Sequence, residues 1–335
     1  MEYPAGEEPY CARPLTVVAR DLTTDPMRIF SDIESSRAVD TSGSRERIRS
    51  NLSGVGATIA LASARGGVGK SMLAVNIAAA LAMKGRKVAI VDADLNSPSI
   101  APMLAMKPQR RLPMIEGIEP AAGPHGLRVV SSDQIPGGEP HPISFVQDFD
   151  DDGNNDGAWV APVPARPAEL SYGEALTRIL AQSQFGSVDL LIIDLATGLD
   201  RLYSLAGMVA LDGVVLLSHP SAQDSSAVGN AMKISRAIAA PVIGIVENMV
   251  GFNCDGCRTV RPLWPEGDLH GLAHQASVPI LARLAFEPRL ADSTDRGVLF
   301  VREYASTPTG KVLADIANQL DATISARTRA SATPA

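Results

Sequence analysis

The chain has 335 residues, of which 45% are hydrophobic and 20% charged, an ordinary balance for a globular protein with a sizeable core. A formal net charge of −7 argues against a broad basic nucleic-acid face, and no apolar stretch approaches the length needed to cross a bilayer. Three cysteines make no disulfide framework, and the acidic start (Glu2, Glu7, Glu8) is not a secretory signal, so a reducing cytoplasm is the expected compartment.

Residues 1–55 are polar, rich in Ser, Arg, Glu and Asp, with one apolar patch from Met27 to Ile33. They read as a loose N-terminal tail. From Ala57 onward, short β-branched runs alternate with helical patterns. Thr58 to Ala62 is an apolar strand, and Met72 to Met83 is a helix that stops at Gly85. Val88 to Val91 is a buried strand ending at Asp92, and Leu127 to Val130 is a candidate for another. Leu190 to Ile193 ends at Asp194. Val214 to Leu217, Val242 to Val246 and Ile280 to Leu284 follow, with helices at Tyr172 to Gln182, Ser225 to Ala239 and Gly310 to Ala326. Near-continuous apolar strands separated by helices predict an α/β fold: a doubly wound, mostly parallel sheet with helices on both faces. The simplest parse is one domain over 56–326. Residues 131–170, proline-rich and acidic, form a surface insertion, and residues 327–335 a polar tail.

Between the first strand and the first helix stands Ser63-Ala-Arg-Gly-Gly-Val-Gly-Lys-Ser71. Strand, glycine loop and helix in that order mark a phosphate-binding loop. Gly66, Gly67 and Gly69 let the backbone approach an anion, and the N–H groups of Val68 and the helix start, through Met72, face the phosphates. Lys70 neutralises the β/γ-phosphates and Ser71 ligates magnesium. Ala64 stands where the strict GxxxxGK[ST] pattern has glycine. Asp194, at a strand end, occupies the usual place of the acid that holds magnesium, and Gly198 is spaced to present its N–H to a γ-phosphate. Asp92 and Asp94 follow the next strand, and either is placed to orient the attacking water.

Cys254-Asp-Gly-Cys257 holds two thiols three residues apart, a pair that can grip one metal or one cluster edge. Iron–sulfur, zinc and a redox dithiol all fit it. Cys11 lies far off in the tail, so a four-thiolate site needs two chains.

Taken together, the chain resembles the Mrp (ApbC-like) iron–sulfur cluster carriers within the MinD/ParA-type P-loop ATPases. The resemblance runs from about Ala57 to Asp321. It rests on Arg65-Gly-Gly-Val-Gly-Lys-Ser71, Asp92-Ala-Asp-Leu-Asn-Ser-Pro-Ser-Ile100, Asp189-Leu-Leu-Ile-Ile-Asp194 and Ile245-Val-Glu-Asn-Met249 followed by Cys254 and Cys257. It implies a homodimer that hydrolyses ATP with magnesium and carries a cluster, of the four-iron type, between paired CxxC segments to apo iron–sulfur proteins or a scaffold. Asn248 then reads the adenine edge, and Asp94 is the switch acid that activates water. Arg65 replaces the family lysine that reaches the partner's nucleotide, and arginine is not its equivalent. The family's Pro-Pro-Gly-Thr-Gly-Asp is shortened to Ala196-Thr-Gly-Leu-Asp200, and Trp159-Val-Ala-Pro162 lacks the arginine of its counterpart. A ParA/MinD-type positioning ATPase without a cluster is the alternative. The tail after Arg327 lacks the large apolar residues of a membrane-binding helix. A bacterial tyrosine-kinase module is disfavoured, since no tyrosine follows Tyr304.

Three weaker features complete the reading. Asp148 to Asp156 resembles the front of a calcium loop, but Trp159 stands where the closing Glu belongs, so a solvated acidic insertion is expected. His270 and His274 can share a helix face and read as surface residues. His219 follows a strand at the nucleotide end of the sheet and reads as a satisfied loop histidine.

Overall fold

The computed structural model describes residues 42–107, 117–131, 172–253, 260–265 and 267–332. The predicted architecture is observed: a nine-stranded, mostly parallel sheet covered by helices on both faces. Five strands form its centre, in the order β4 (Arg128–Val130), β2 (Val88–Ala93), β5 (Leu190–Leu195), β1 (Thr58–Ala62), β6 (Gly213–Ser218). Beyond β4 lies the short antiparallel β3 (Ala121–Ala122). Beyond β6 lies the long β7 (Val242–Asn253), which pairs in parallel with β9 (Ile280–Phe286) and, near its end, antiparallel with β8 (Val260–Pro262).

Every residue of β1, β2, β5 and β6 is buried, as strands sandwiched between two helical layers must be. Alternate residues serve opposite faces. Ile59 and Leu61 join one core with α2 (Lys70–Met83) and with Leu313, Ile316 and Leu320 of α10 (Pro308–Ala332). Ala60 and Ala62 join the other, with α1 (Ser42–Asn51), α4 (Tyr172–Gln182), α5 (Leu199–Ala206), α6 (Ala222–Ala237) and α7 (Leu269–Gln275). The remaining helices, α3 (Ile100–Met103), α8 (Pro288–Asp295) and α9 (Phe300–Glu303), are short. Alanine dominates α2, which combines high helix propensity with close packing against the sheet. Among the described residues, no helix is long and apolar enough to cross a membrane.

Two expected boundaries are corrected. Residues 42–55 are not tail. The helix α1 is polar, but it buries Ile48 to 1% exposure, and the Asn51 amide donates to the Leu180 and Ala181 carbonyls at the end of α4. Val55 then bridges Val188. One apolar residue and one capping amide suffice to dock it, a signal too sparse to show as periodicity. The C-terminal helix also continues to Ala332, so residues 327–332 are helical rather than tail. The insertion at 131–170, its calcium-like segment Asp148 to Asp156, and the Met27 to Ile33 patch lie outside the described residues, save Ser131.

If α1 belongs to the folded unit, Ile48→Ala lowers stability by about 2–4 kcal/mol, the range for truncating a buried aliphatic side chain. Urea unfolding measures it, and an unchanged midpoint would detach α1 from the core.

Candidate functional site

The carboxyl ends of β1, β2, β5, β6 and β7 meet at one edge of the sheet, where ligands bind in open α/β folds. The loop after β1 is drawn tight by Ser63, whose hydroxyl donates to the Arg65 carbonyl (2.8 Å). Gly67 and Gly69 take φ of 76° and 87°, the left-handed region that favours glycine. At Gly69 space matters as well, because a Cβ there would sit 2.6 Å from Asn248 Nδ2.

Lys70 opens α2, and its Nζ lies 2.9 Å from Asp194 Oδ1 at the end of β5. Both are buried, at 8% and 0% side-chain exposure. Burial pushes the Asp194 carboxyl up, while Lys70 and the Ser71 hydroxyl pull it down. Asp194 Oδ2 is buried without a hydrogen-bond partner among the described residues. A hard cation shared by Ser71 and this oxygen fits that donor set, since magnesium takes one or two protein oxygens and fills its remaining positions with water and phosphate. The two residues expected to hold it are therefore together.

The two acids of the next strand separate in role. Asp92, in register with Asp194 on the neighbouring strand, accepts from three backbone N–H groups: Asp94 (3.1 Å), Ser99 (2.7 Å) and Ile100 (2.9 Å). Its carboxylate is committed to folding the turn 94–100. Burial first, then the Asp194 charge, push the Asp92 carboxyl up to about 7 against the pull of those donors.

Asn248 is brought to the loop, but underneath it. Its Nδ2 donates to the Val68 carbonyl (2.9 Å) and its Oδ1 accepts from the Met249 N–H (2.9 Å). Those partners fix the amide orientation. In this conformation Asn248 supports the loop rather than presenting an edge to adenine. Gly198 likewise has its N–H on the Ser63 carbonyl (3.2 Å), not free for a phosphate. Gly66 and Gly67 are exposed, Val68 is buried, and Met72 packs beside Gly69.

Arg65 lies back over its own chain. Its Nη2 donates to Gln223 Oε1 (2.8 Å) and its Nε is 3.3 Å from Asp224 Oδ1, both in the first turn of α6. His219, Trp264 and Asp224 complete a cavity of about 480 Å³ beside Arg65 and Gly66. The position of His219 after β6 was the only sequence signal for this cavity; Trp264 and Asp224 carry none. His270, half-exposed, and Arg283 face the buried carboxylate of Glu247, at 3.8 and 2.6 Å. Cys254 and Cys257 lie outside the described residues, directly after β7. Among the described residues, no cluster of three or more His, Cys, Asp or Glu is arranged to hold a metal.

The raised carboxyl of Asp92 has a consequence for nucleotide-free protein. A folded-state pKa of about 7 against an ordinary 3.8 means that the native state binds this proton more tightly. The stability it contributes is complete below pH 3.8 and is lost as pH rises to about 7. The stability difference between parent and Asp92→Asn, measured by urea unfolding, therefore shifts in favour of the variant between pH 4 and 7 and is level above. A difference independent of pH would overturn this assignment.

A family model described as ParA, the NUBPL iron-transfer P-loop NTPases, matches residues 54–145 and 169–321. The iron–sulfur cluster carrier protein of Saccharolobus solfataricus is 31% identical over 276 residues, covering 82% of this chain and 86% of that protein. The cytosolic Fe-S cluster assembly factor NUBP2 of Gallus gallus is 28% identical over 277 residues, covering 81% and 94%. A nucleotide-binding protein from Archaeoglobus fulgidus, solved in complex with ADP, superposes with a TM-score of 0.62 at 26% identity, over 80% of this chain and 95% of that one. The cell-division ATPase MinD of Pyrococcus furiosus, at 18% identity and TM-score 0.53, covers 80% and 99% and shares the fold. The matched residues cover more than half of the chain, which belongs to the ParA family of NUBPL-type iron-transfer P-loop NTPases.

Proposed function

We propose that this protein is an ATP-hydrolysing iron–sulfur cluster carrier that works as a homodimer and passes its cargo to apo-proteins or a scaffold. The observation that carries the reading is the continuity of β7. Asn248 of this strand touches the P-loop through Val68, and the strand ends at Asn253, immediately before Cys254 and Cys257. One polypeptide segment thus joins a nucleotide loop to a thiol pair. The relatives named as iron–sulfur cluster carriers support the cargo.

In this reading Lys70 and the backbone N–H groups of Gly67 to Ser71 bind the β- and γ-phosphates, and the orphaned oxygen of Asp194 and the Ser71 hydroxyl hold magnesium. When bound, magnesium supplies charge neutralisation between the β- and γ-oxygens. Asp94 orients a water for attack on the γ-phosphorus. The bond from that phosphorus to the bridging oxygen breaks, ADP leaves, and the water's proton passes to the released phosphate. Arg65 adds positive charge once freed from α6. Cys254 and Cys257 supply two thiolates per chain, so a four-iron cluster, the favoured cargo, takes one pair from each of two chains. Zinc fits the same ligands.

Asp94→Ala should bind ATP about as the parent does while its hydrolysis rate falls by roughly a hundredfold, the loss expected when a water-orienting group is removed. Filter binding and phosphate release separate the two effects, and a rate equal to the parent's would remove Asp94 from the mechanism. Anaerobic reconstitution should load the parent with about one cluster per dimer, by the two-chain ligand count. Cys254→Ser combined with Cys257→Ser should retain less than about a tenth of that iron, and equal loading would end the carrier reading.

A further inference from the structure

A second set of contacts, beginning at Arg65, links the P-loop to β7 and β8. The Arg65 guanidinium is held by Asp224 and Gln223 at the start of α6. Asp224 is 5% exposed, and Ser221 and His219 border its other oxygen, at 2.5 and 3.8 Å. The His219 ring stacks on Trp264, with centroids 4.7 Å apart and planes 15° from parallel. The Trp264 indole N–H donates to the Met249 carbonyl (3.0 Å). Met249 stands between Asn248, which holds the P-loop, and Gly251–Asn253, which pair with β8. Met249 itself takes φ of 57°, a left-handed conformation that is strained for a side chain of this kind, where the register of β7 against β9 shifts.

We propose that the His219–Trp264 stack is a positioning joint through which occupation of the P-loop sets the stance of the β7–β8 hairpin that flanks Cys254 and Cys257. The clause about the cysteines rests on the carrier reading above. The joint itself does not.

The driving step is competition for Arg65. Its guanidinium cannot stay on Asp224 and Gln223 while serving a triphosphate, and the more highly charged phosphates are the stronger acceptors. Release of Arg65 leaves Asp224 buried, with His219 as its nearest potential cation. Burial holds the His219 imidazole below its ordinary range; Asp224 pulls it up, and Arg65 holds it down. Removal of Arg65 therefore favours approach of the imidazole to Asp224 and away from the indole face. Space for that movement is present, because the ring borders the 480 Å³ cavity and its Nε2 is buried with no partner among the described residues. The indole is anchored on β7 at its other end, so a change at the stack is felt at Met249, where the register of β7 shifts. The linkage is reciprocal: whatever ATP does to the hairpin, metal on the hairpin does to ATP affinity.

The chain has two tryptophans, Trp159 and Trp264, so Trp159→Phe makes Trp264 the sole indole reporter in the full-length protein. Saturating magnesium–ATP should shift Trp264 emission in this background. His219→Leu should bind labelled ATP as the parent does, yet show no ATP-dependent shift. His219→Gln, with a similar reach and a polar end, keeps the test valid if the leucine variant fails to fold. With iron loaded, ATP should change the rate of iron loss to a chelator by about fivefold in the parent, the low end of typical couplings between sites. That ratio should collapse toward one in the His219 variant, while its nucleotide-free loss matches the parent's. Emission indifferent to ATP in the parent, or an ATP response that survives in both His219 variants, would overturn the joint. If the parent takes up no iron, the carrier reading fails, and the emission arm still decides whether the joint exists.

Discussion

The buried pairing of Lys70 with Asp194 is the interaction on which the rest of the site depends. Two opposite charges taken out of water lose several kcal/mol of hydration each, and their attraction offsets this only when their other valences are met. Here they are met unevenly. Asp194 Oδ1 has Lys70, while Oδ2 has no hydrogen-bond partner among the described residues. Asp92 adds a like charge in register on the adjacent strand. Replacing the cluster with apolar residues would serve stability better, so its sense lies in what it awaits. In the proposed function, a divalent cation on Asp194 Oδ2 and phosphates on the Lys70 ammonium would complete that set.

That incompleteness is affordable because the surroundings are rigid. Strands β1, β2, β5 and β6 are buried on both faces and end at the same edge, so Lys70, Asp92 and Asp194 issue from the least deformable part of the molecule. Three backbone N–H groups fix Asp92, and through it the turn that carries Asp94. The glycine loop is held from beneath by Asn248 and from the side by the Gly198 N–H on Ser63. Each of these props comes from a different strand end. The loop's shape is therefore a property of the whole sheet edge, not of the local glycine sequence alone.

The strands and the nucleotide loop are legible in the sequence because their signals are local. A fully buried parallel strand has to be an unbroken apolar run, and a phosphate loop has to carry its glycines, lysine and serine in order. The long helices α2, α4, α6 and α10 show too, within a few residues at their ends. The short helices α5 and α8 are hidden, since eight residues give the periodicity too little length. The polar α1 is hidden because Ile48 is the one apolar residue in its ten. At the site, spacing placed Ser71 with Asp194 but could not say that Asp92 is saturated by backbone donors, nor that Asn248 lies beneath the loop. Both facts depend on how turns cross in space. The stack of His219 on Trp264 joins residues 45 positions apart, and β7, which pairs with both β6 and β8, brings them together.

Arginine at position 65 acquires its meaning from that same neighbourhood. A lysine there would offer one compact ammonium on a flexible stem, able to hold a single acceptor firmly. The guanidinium reaches Asp224 with Nε and Gln223 with Nη2 together, and its planar fork loses less freedom for each bond formed. Arg65 is thereby better anchored to its own chain than a lysine would be, although half of its surface remains exposed. Moving it toward any phosphate, its own or a partner's, means giving up two acceptors, one of them a carboxylate that stays buried. The substitution raises the threshold for using this cation and, by the same contacts, ties its departure to His219 and the tryptophan beyond. In the proposed mechanism, a residue that in lysine form would act by charge alone would act here by charge and by what it leaves behind.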